Sequence, residues 1–523
     1  MRAKSIRLFI LAVFISFVLC RVCFNSQAQN TETRYSPAIP KTWDEAALAD
    51  WATPVAGLNL RPKHISEKEY YSLPVENLRS YPVYFEGREP AGYWEMLQGV
   101  GPQPLIEPGK LKTEADWIVA GQRVFDEADD LHLRTYSPEL ISAARSIKAF
   151  EGRQPLPDGT TSDLRWVPTK NGVALSVSNC TTCHVRRLAD GTRITGAPTS
   201  FTLPGTGKPG LLGGSGMVRP LQTSLHAVTG AAPFRMGSDS FGMWLYQAYG
   251  VPWKKDDVHE RAKTMTEAEY NLWINSAVRG GGVPRWNGSP YYPAKIPDLI
   301  GIKDRKYIDH TATHLHRGIG DLMRYAALVS FAETTDFGQY HMLAVDTKRG
   351  QGRLPDEALY ALALYIYSLT PPANPNLFDE QAKAGEKIFA SEGCVMCHTP
   401  PLYTSNKLTL AQGFTPPKDA PATLNILRLS VGTNSGLALE TRKGTGYYKV
   451  PSLKGVWYRG HYLHDGAAAS LEEMFDPDRL KESHVPGGWC APGAQTRAIK
   501  GHPFGLGLTE VERKALIAFL KTL

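Results

Sequence analysis

At 523 residues, with 42 % hydrophobic content, 38 prolines and 48 glycines, the chain is long enough to bury two sizeable cores among long irregular loops. Its formal charge of +7 falls to +3 once the four basic residues of the first 28 positions are set aside, which argues against a nucleic-acid-binding protein. Two of the seven cysteines lie in that same leading stretch and four fall in two tight pairs, so Cys490 is left over and no disulfide framework is implied.

The chain opens with Arg2, Lys4 and Arg7, then an apolar run from Leu8 to Cys20, then the small-residue site Ser26-Gln27-Ala28. This is the pattern of a secretory signal over 1–28, which places the chain in the periplasm or otherwise outside the cytoplasm. The run is short of the roughly 20 apolar residues of a spanning helix, so an uncleaved anchor is the lesser alternative. Bulky Leu19 and Val22 disfavour lipid attachment at Cys20 or Cys23. Residues 29–112 carry tryptophans and prolines but no motif, and are expected to pack as an extension on the domain that follows.

Ala120-Gly121-Gln122-Arg123-Val124-Phe125 sits in helical patterning, and a long insertion separates it from Cys180-Thr181-Thr182-Cys183-His184. Later, Ala384-Gly385-Glu386-Lys387-Ile388-Phe389 stands close before Cys394-Val395-Met396-Cys397-His398, in the tight arrangement of a small cytochrome c. A CxxCH lets two thiols add to the two vinyl groups of one haem while the adjacent imidazole ligates its iron, so Cys180, Cys183, Cys394 and Cys397 are expected to attach two covalent haem c groups, with His184 and His398 as iron ligands. A thioredoxin-like pair would not need the trailing histidine or a second copy, and zinc half-sites usually lie far closer in sequence than Cys180 and Cys394.

Between the motifs, Pro204-Gly205-Thr206-Gly207-Lys208-Pro209 fails the phosphate-loop spacing and reads as a loop. Gly280-Gly281-Gly282 and Trp286-Asn287-Gly288 mark another flexible stretch, where Trp286 could pack, line the first haem pocket or relay electrons. Then Pro297-x-Leu299-x-Gly301-x-x-x-Arg305, with His310 thirteen positions after Pro297, corresponds to Pro451-x-Leu453-x-Gly455-x-x-x-Arg459 with His464 thirteen after Pro451. Each unit closes with a helix. Pro355-Asp356-Glu357 opens one running to Pro371-Pro372, and Thr509 with Glu512 forms a capping box before Leu516, Phe519 and Leu520. The proline-rich stretch Thr370–Asn376 is a stiff linker. Three landmarks recurring in one order read as a duplicated mono-haem domain: mostly α, two tandem cytochrome c-like domains over 113–370 and 377–523, the first enlarged by insertions.

The repeated segment is where a ligand to the far side of each haem could come from. In the second unit His464 is preferred, with His461 and Met474 as alternatives; a second strong ligand suits an iron to moving electrons. In the first unit Tyr307, His310, His314, His316 and Arg317 crowd the equivalent stretch. Near an open iron, such histidines can move a proton between two peroxide oxygens and an arginine can stabilise the departing hydroxide; each histidine alone could equally be structural.

Together the two CxxCH units, the AGxx(V/I)F helices and Val450–Gly455 leading to Tyr462-Leu463-His464-Asp465-Gly466 resemble the di-haem bacterial cytochrome c peroxidase superfamily over about residues 113–523. That superfamily also holds the enzymes that mature methylamine dehydrogenase and the di-haem rubber oxygenases. The resemblance implies oxidative chemistry at the first haem, with His310, His314, His316 and Arg317 as candidate catalytic residues, and an electron store at the second. It implies peroxide or dioxygen as oxidant, a small redox protein as electron donor, and room for a calcium ion. The chain departs from the peroxidase pattern in two ways. Asp478 stands where the pattern has a methionine downstream of His464, and the long stretch from His184 to Leu354 is closer to the enlarged domain of the rubber oxygenases. The alternatives to a peroxidase are thus an oxygenase cleaving an unsaturated substrate with dioxygen, and a plain electron-transfer cytochrome.

Overall fold

The computed structural model describes residues 35–129, 134–147, 155–199, 291–330 and 352–523, except 57, 59, 63, 177, 178, 442 and 443. It also describes 269, 273, 276, 281–283, 336–337 and 340–341. The leader, the Pro204–Pro209 loop and Trp286 lie outside the described residues.

The chain is helix-rich, with small antiparallel sheets. The helices that organise it are α1 (Glu114–Glu127), α2 (Cys180–His184), α3 (Ile319–Ser330), α4 (Asp356–Ser368), α5 (Glu380–Ser391) and α6 (Glu510–Lys521). Their starts follow from side chains that satisfy the free N–H groups of a first turn: Thr113 and Asp116 form a capping box on α1, Thr509 and Glu512 one on α6, and Asp379 caps α5.

Two helix crossings carry the fold, and they are built alike. A Cβ added at Gly121 of α1 would lie 1.9 Å from the carbonyl oxygen of Ala361 on α4 and 2.8 Å from Tyr365 Cβ; one added at Gly385 of α5 would lie 1.9 Å from the oxygen of Ala515 on α6 and 2.8 Å from Phe519 Cβ. Only a residue without a Cβ permits backbones this close. One turn on, Phe125 meets Tyr365 edge-on at 5.6 Å and Phe389 meets Phe519 at 5.3 Å. The repeated PxLxG segments also turn alike, with Gly301 at φ +72 and Gly455 at φ +73 starting a short helical turn that ends near Arg305 and Arg459.

Apolar packing divides accordingly. One cluster gathers Phe125, Leu299, Leu359 and Leu362; a second gathers Phe389, Leu471, Leu516 and Phe519. The N-terminal segment is part of the first: Trp43, Trp51 and Tyr70 are fully buried there, and Thr53 N–H donates to the carbonyl of Thr313. A three-stranded sheet, β1 (Tyr81–Tyr84), β2 (Thr160–Thr169) and β3 (Gly172–Ser176), joins that segment to the stretch before the first CxxCH, and it buries Val83, Leu164 and Trp166. Strand β4 (Ala294–Lys295) belongs to a separate two-stranded sheet, and β5 (Leu408–Leu410) pairs antiparallel with β6 (Tyr447–Lys449). Among the described residues no helix is long and apolar enough to cross a membrane.

Candidate functional site

After α5 the chain turns at Gly393, φ +74, and lays Cys394, Cys397 and His398 along one wall of a cavity. His398 Nδ1 lies 3.2 Å from the Tyr403 carbonyl and 3.1 Å from that of Pro451. Carbonyls only accept, so Nδ1 carries the proton and the Nε2 lone pair is left for a metal, the usual way a second partner orients a ligating imidazole. Burial drives its pKa down to about 4, keeping the ring neutral. Burial also pushes the Cys394 thiol up to about 11. An uncharged sulfur suits this wall, as a thioether would be.

The remaining walls are apolar, from Phe389, Leu453, Val456, Leu471, Leu516 and Leu520, whereas one rim is cationic. Lys295, Lys449 and Arg459 line both this cavity and a smaller adjoining pocket, where Arg305 and Asp298 join them. Four cations thus face Asp298, to which Arg305 and Arg459 stand at 3.5 and 3.9 Å. Arg459 Nε is buried without a hydrogen bond, and burial together with Arg305 brings Lys449 down to about 7. Buried positive charge in this excess needs anionic partners. Two thiols, an imidazole with a free Nε2, apolar walls and a cationic rim for two propionates are the donor set of a haem c, and the residues present fit that group.

The rim is built reciprocally from the two halves. Lys295 N–H donates to the His464 carbonyl at 2.8 Å while Lys449 N–H donates to that of His310 at 3.0 Å. The Lys295 ammonium caps the carbonyls of Gly460 and His461, and the Lys449 ammonium those of Tyr307 and Ile308. Lys295 and Lys449 each stand just before the repeated proline, Pro297 or Pro451, so the internal repeat closes on itself as an interface.

The first CxxCH is α2 itself. Asn179 caps it, its Oδ1 accepting from Thr181 and Thr182 N–H at 3.0 and 3.3 Å, while its amide donates to the Asp126 carbonyl at the end of α1. Cys180, Cys183 and His184 are half-buried, and Cys180 packs on the first cluster.

The candidates of the first unit have four separate sets of partners and form no single constellation. His310 lines the cavity of the second CxxCH, its Nε2 donating to the Lys295 carbonyl at 2.8 Å. His314 is buried in the first core, its Nε2 3.0 Å from that of His64 and its ring 4.1 Å from Trp51. His316 has both nitrogens engaged, Nδ1 with the Arg305 carbonyl at 2.6 Å and Nε2 with the Tyr367 hydroxyl at 2.7 Å. Arg317 ties the N-terminal segment to α3 through Asp321, Asp50 and the Ala47 carbonyl. Of the second-unit candidates, His461, His464 and Met474 all line the cavity. The ring of His464, however, stacks on Tyr448 at 4.3 Å with its Nε2 3.2 Å from the Tyr448 hydroxyl. Asp478 is solvent-exposed and paired with Lys481.

One residue of this cavity escaped the sequence reading. His502 lines it together with His398, the two ring centres 6.5 Å apart. Its sequence signal is thin: a lone histidine between Gly501 and Pro503, far from the repeated segment. Among the described residues no group of three or more His, Cys, Asp or Glu side chains is placed to hold a free metal ion.

Three curated proteins resemble parts of the chain. The cytochrome-c peroxidase IdrP1 of Denitromonas iodatirespirans is 30 % identical over 196 residues, 32 % of this chain and 49 % of that protein. The methylamine utilization protein MauG of Methylorubrum extorquens is 28 % identical over 148 residues, 27 % of this chain and 34 % of its own. Over these stretches the chain is similar to di-haem cytochrome c peroxidases and to MauG. A second cytochrome-c peroxidase of Denitromonas iodatirespirans, IdrP2, is 27 % identical over 159 residues, 27 % of this chain and 39 % of that protein. The chain thus spans at most about half the length of these curated relatives, and no family model matches it. The Cys394–His398 cavity is suited to haem of the c type.

Proposed function

We propose that this chain is an exported di-haem oxidoreductase of two tandem cytochrome c-like units, over 113–370 and 377–523, that reduces hydrogen peroxide at the first haem with electrons passed through the second. The observation that carries the reading is the cavity at Cys394, Cys397 and His398, with its apolar walls and excess of buried cations, beside a first unit whose helix crossing repeats the second at the same distances. A haem held by Cys394, Cys397 and His398 would supply one-electron transfer, and one held by Cys180, Cys183 and His184 would supply oxidant binding.

The protein's part is positioning and charge. The Tyr403 and Pro451 carbonyls hold the His398 proton on Nδ1 and keep Nε2 free. Lys295, Lys449, Arg459 and Arg305 would neutralise propionates at the rim, which would give the two lysines the anionic partners that their burial requires. His310 keeps its Nε2 proton on the Lys295 carbonyl and so links the first unit to the rim of the second cavity. Two of the three relatives above are named cytochrome-c peroxidases, which favours peroxide as oxidant and a small redox protein as donor.

A dioxygen-using oxygenase is the second reading. It is favoured by the engagement of His314, His316 and Arg317 with protein partners, since a pocket with fewer free acid–base groups suits dioxygen better than peroxide. The test is reoxidation of a reduced small c-type cytochrome by the haem-loaded full chain under argon. Peroxide-dependent reoxidation that is lost when His184 or His398 becomes glycine supports the peroxidase. Indifference to peroxide under argon, with oxygen uptake on an unsaturated hydrocarbon in a parallel aerobic assay, would replace it with the oxygenase.

A further inference from the structure

We propose that His502 is the second axial ligand of the haem held by Cys394, Cys397 and His398, and that Arg479 is the residue that positions it. The proposal rests on the haem reading above and names a ligand that the sequence pattern sought at His464, His461 or Met474.

Two imidazoles binding one metal through Nε2 from opposite sides, at about 2 Å each, have ring centres roughly 6 Å apart. His398 and His502 are the pair in this cavity at that spacing, 6.5 Å, with ring planes 52° apart. By contrast, the Nε2 of His464 is occupied by Tyr448, whose own hydroxyl donates to the Asn434 carbonyl at 2.6 Å.

The loop bearing His502 is built at considerable local expense. His502 adopts φ +50, a left-handed backbone that disfavours a side-chain-bearing residue by about 1 to 2 kcal/mol, directly after Gly501 at φ +82. A Cβ at Gly501 would stand 2.3 Å from the backbone of Gly432 and Thr433, and His502 N–H donates to the Val431 carbonyl at 2.6 Å, so the loop is pressed against 431–433.

Arg479, with no exposed surface, holds the other side. Its guanidinium donates to the carbonyls of Gly501 and His502 at 2.9 Å each, to that of Met474 at 2.8 Å, and to that of Ile499. A buried cation whose hydrogen bonds all run to main-chain carbonyls around one histidine fixes where that histidine points. Phe504 sets the ring plane, edge-on at 5.4 Å. Burial and a left-handed backbone would each weaken a purely structural loop; with the 6.5 Å spacing to His398 they point to an imidazole set to bind a metal.

The experiment uses full-length, haem-loaded protein. The mass of the peptide containing Cys394 and Cys397 first establishes that the second haem is attached; an unmodified peptide overturns the haem reading and this proposal with it. With haem attached, electron paramagnetic resonance of the oxidised protein is recorded for His502→Gly, His502→Met and His464→Ala. The low-spin signal is expected to be lost in His502→Gly and restored by added imidazole, moved in His502→Met with a higher reduction potential, and kept in His464→Ala. Arg479→Gln is expected to give a high-spin and low-spin mixture that imidazole makes low-spin, and Arg479→Lys to keep the parent signal. A low-spin signal unchanged in His502→Gly and His502→Met, or abolished in His464→Ala, overturns the assignment while leaving the di-haem reading intact.

Discussion

Replacing Gly385 by alanine tests the helix crossing on which the second unit is built. The added methyl would meet the Ala515 carbonyl oxygen at 1.9 Å and its carbon at 2.5 Å, and ordinary contact begins at 3.4 Å. Since the obstacle is backbone, no side chain can swing aside, and α5 and α6 must part near the contact until 1.9 Å has become 3.4 Å. Parting them loosens Phe389 against Phe519 and thins the wall beside Cys394. Overpacking of this kind costs about 1 to 3 kcal/mol, and the backbone obstacle puts this case at the top of that range. Alanine returns up to about 1 kcal/mol through helix propensity, leaving a net loss of about 2 kcal/mol. In a unit of this size that lowers the melting temperature by roughly 4 to 8 °C. Differential scanning calorimetry of the haem-loaded protein reads it, and absorbance after pyridine treatment reads haem content. Gly121→Ala, facing Ala361 at the same 1.9 Å, should cost the first unit a similar amount. A Gly385→Ala protein as stable as the parent would refute the reasoning, because it would mean that the close approach is not there.

Three further outcomes are expected. Asp321→Asn should lose about 3 kcal/mol at neutral pH, since it strands the buried Arg324 and frees Arg317; burial works to raise the Asp321 pKa, but Arg317 and Arg324 outweigh it and hold it below the ordinary carboxylate value. A depressed folded-state pKa contributes stability that is present above about pH 4 and lost as pH falls through the folded value, so urea midpoints of parent and variant should converge in acid. Lys449→Gln removes a buried positive charge from the rim, which favours the oxidised state; the potential of the second haem should fall by on the order of 30 to 60 mV in a spectroelectrochemical titration, and an unchanged or higher value contradicts the assigned rim. His316→Gln should lower stability by about 1 to 2 kcal/mol through its bonds to Tyr367 and the Arg305 carbonyl, and leave steady-state peroxide turnover within about twofold of the parent; a hundredfold loss of turnover would return His316 to the acid–base machinery.

What the sequence made legible is whatever local chemistry dictates. The cysteine pairs and their histidines are adjacent in the chain, the helices around Gly121 and Gly385 and the one beginning at Glu510 carry their own caps, the one beginning at Asp356 follows Pro355, and Gly301 and Gly455 recur because each must adopt the same left-handed turn. Lys295 and Lys449 were not singled out, although each stands just before a repeated proline, because nothing local said that they would cap each other's segments. His502 was not readable, because its significance lies in a distance to His398, remote in the chain, and in carbonyls gathered by Arg479. The first-unit histidines misled for a related reason: proximity in sequence suggested one pocket, but His314 turns to His64 of the N-terminal segment and His316 to Tyr367 of α4. The sheet of β1, β2 and β3 was likewise hidden, since Tyr81 of the first strand pairs with Trp166, on the far side of three described α-helices.

The most direct measurement is electron paramagnetic resonance of the oxidised, haem-loaded protein before and after hydrogen peroxide. The expected result is one low-spin and one high-spin signal, with peroxide altering only the high-spin one. Two low-spin signals, indifferent to peroxide in both oxidised and half-reduced samples, would contradict a peroxide-reducing enzyme and leave an electron carrier in its place.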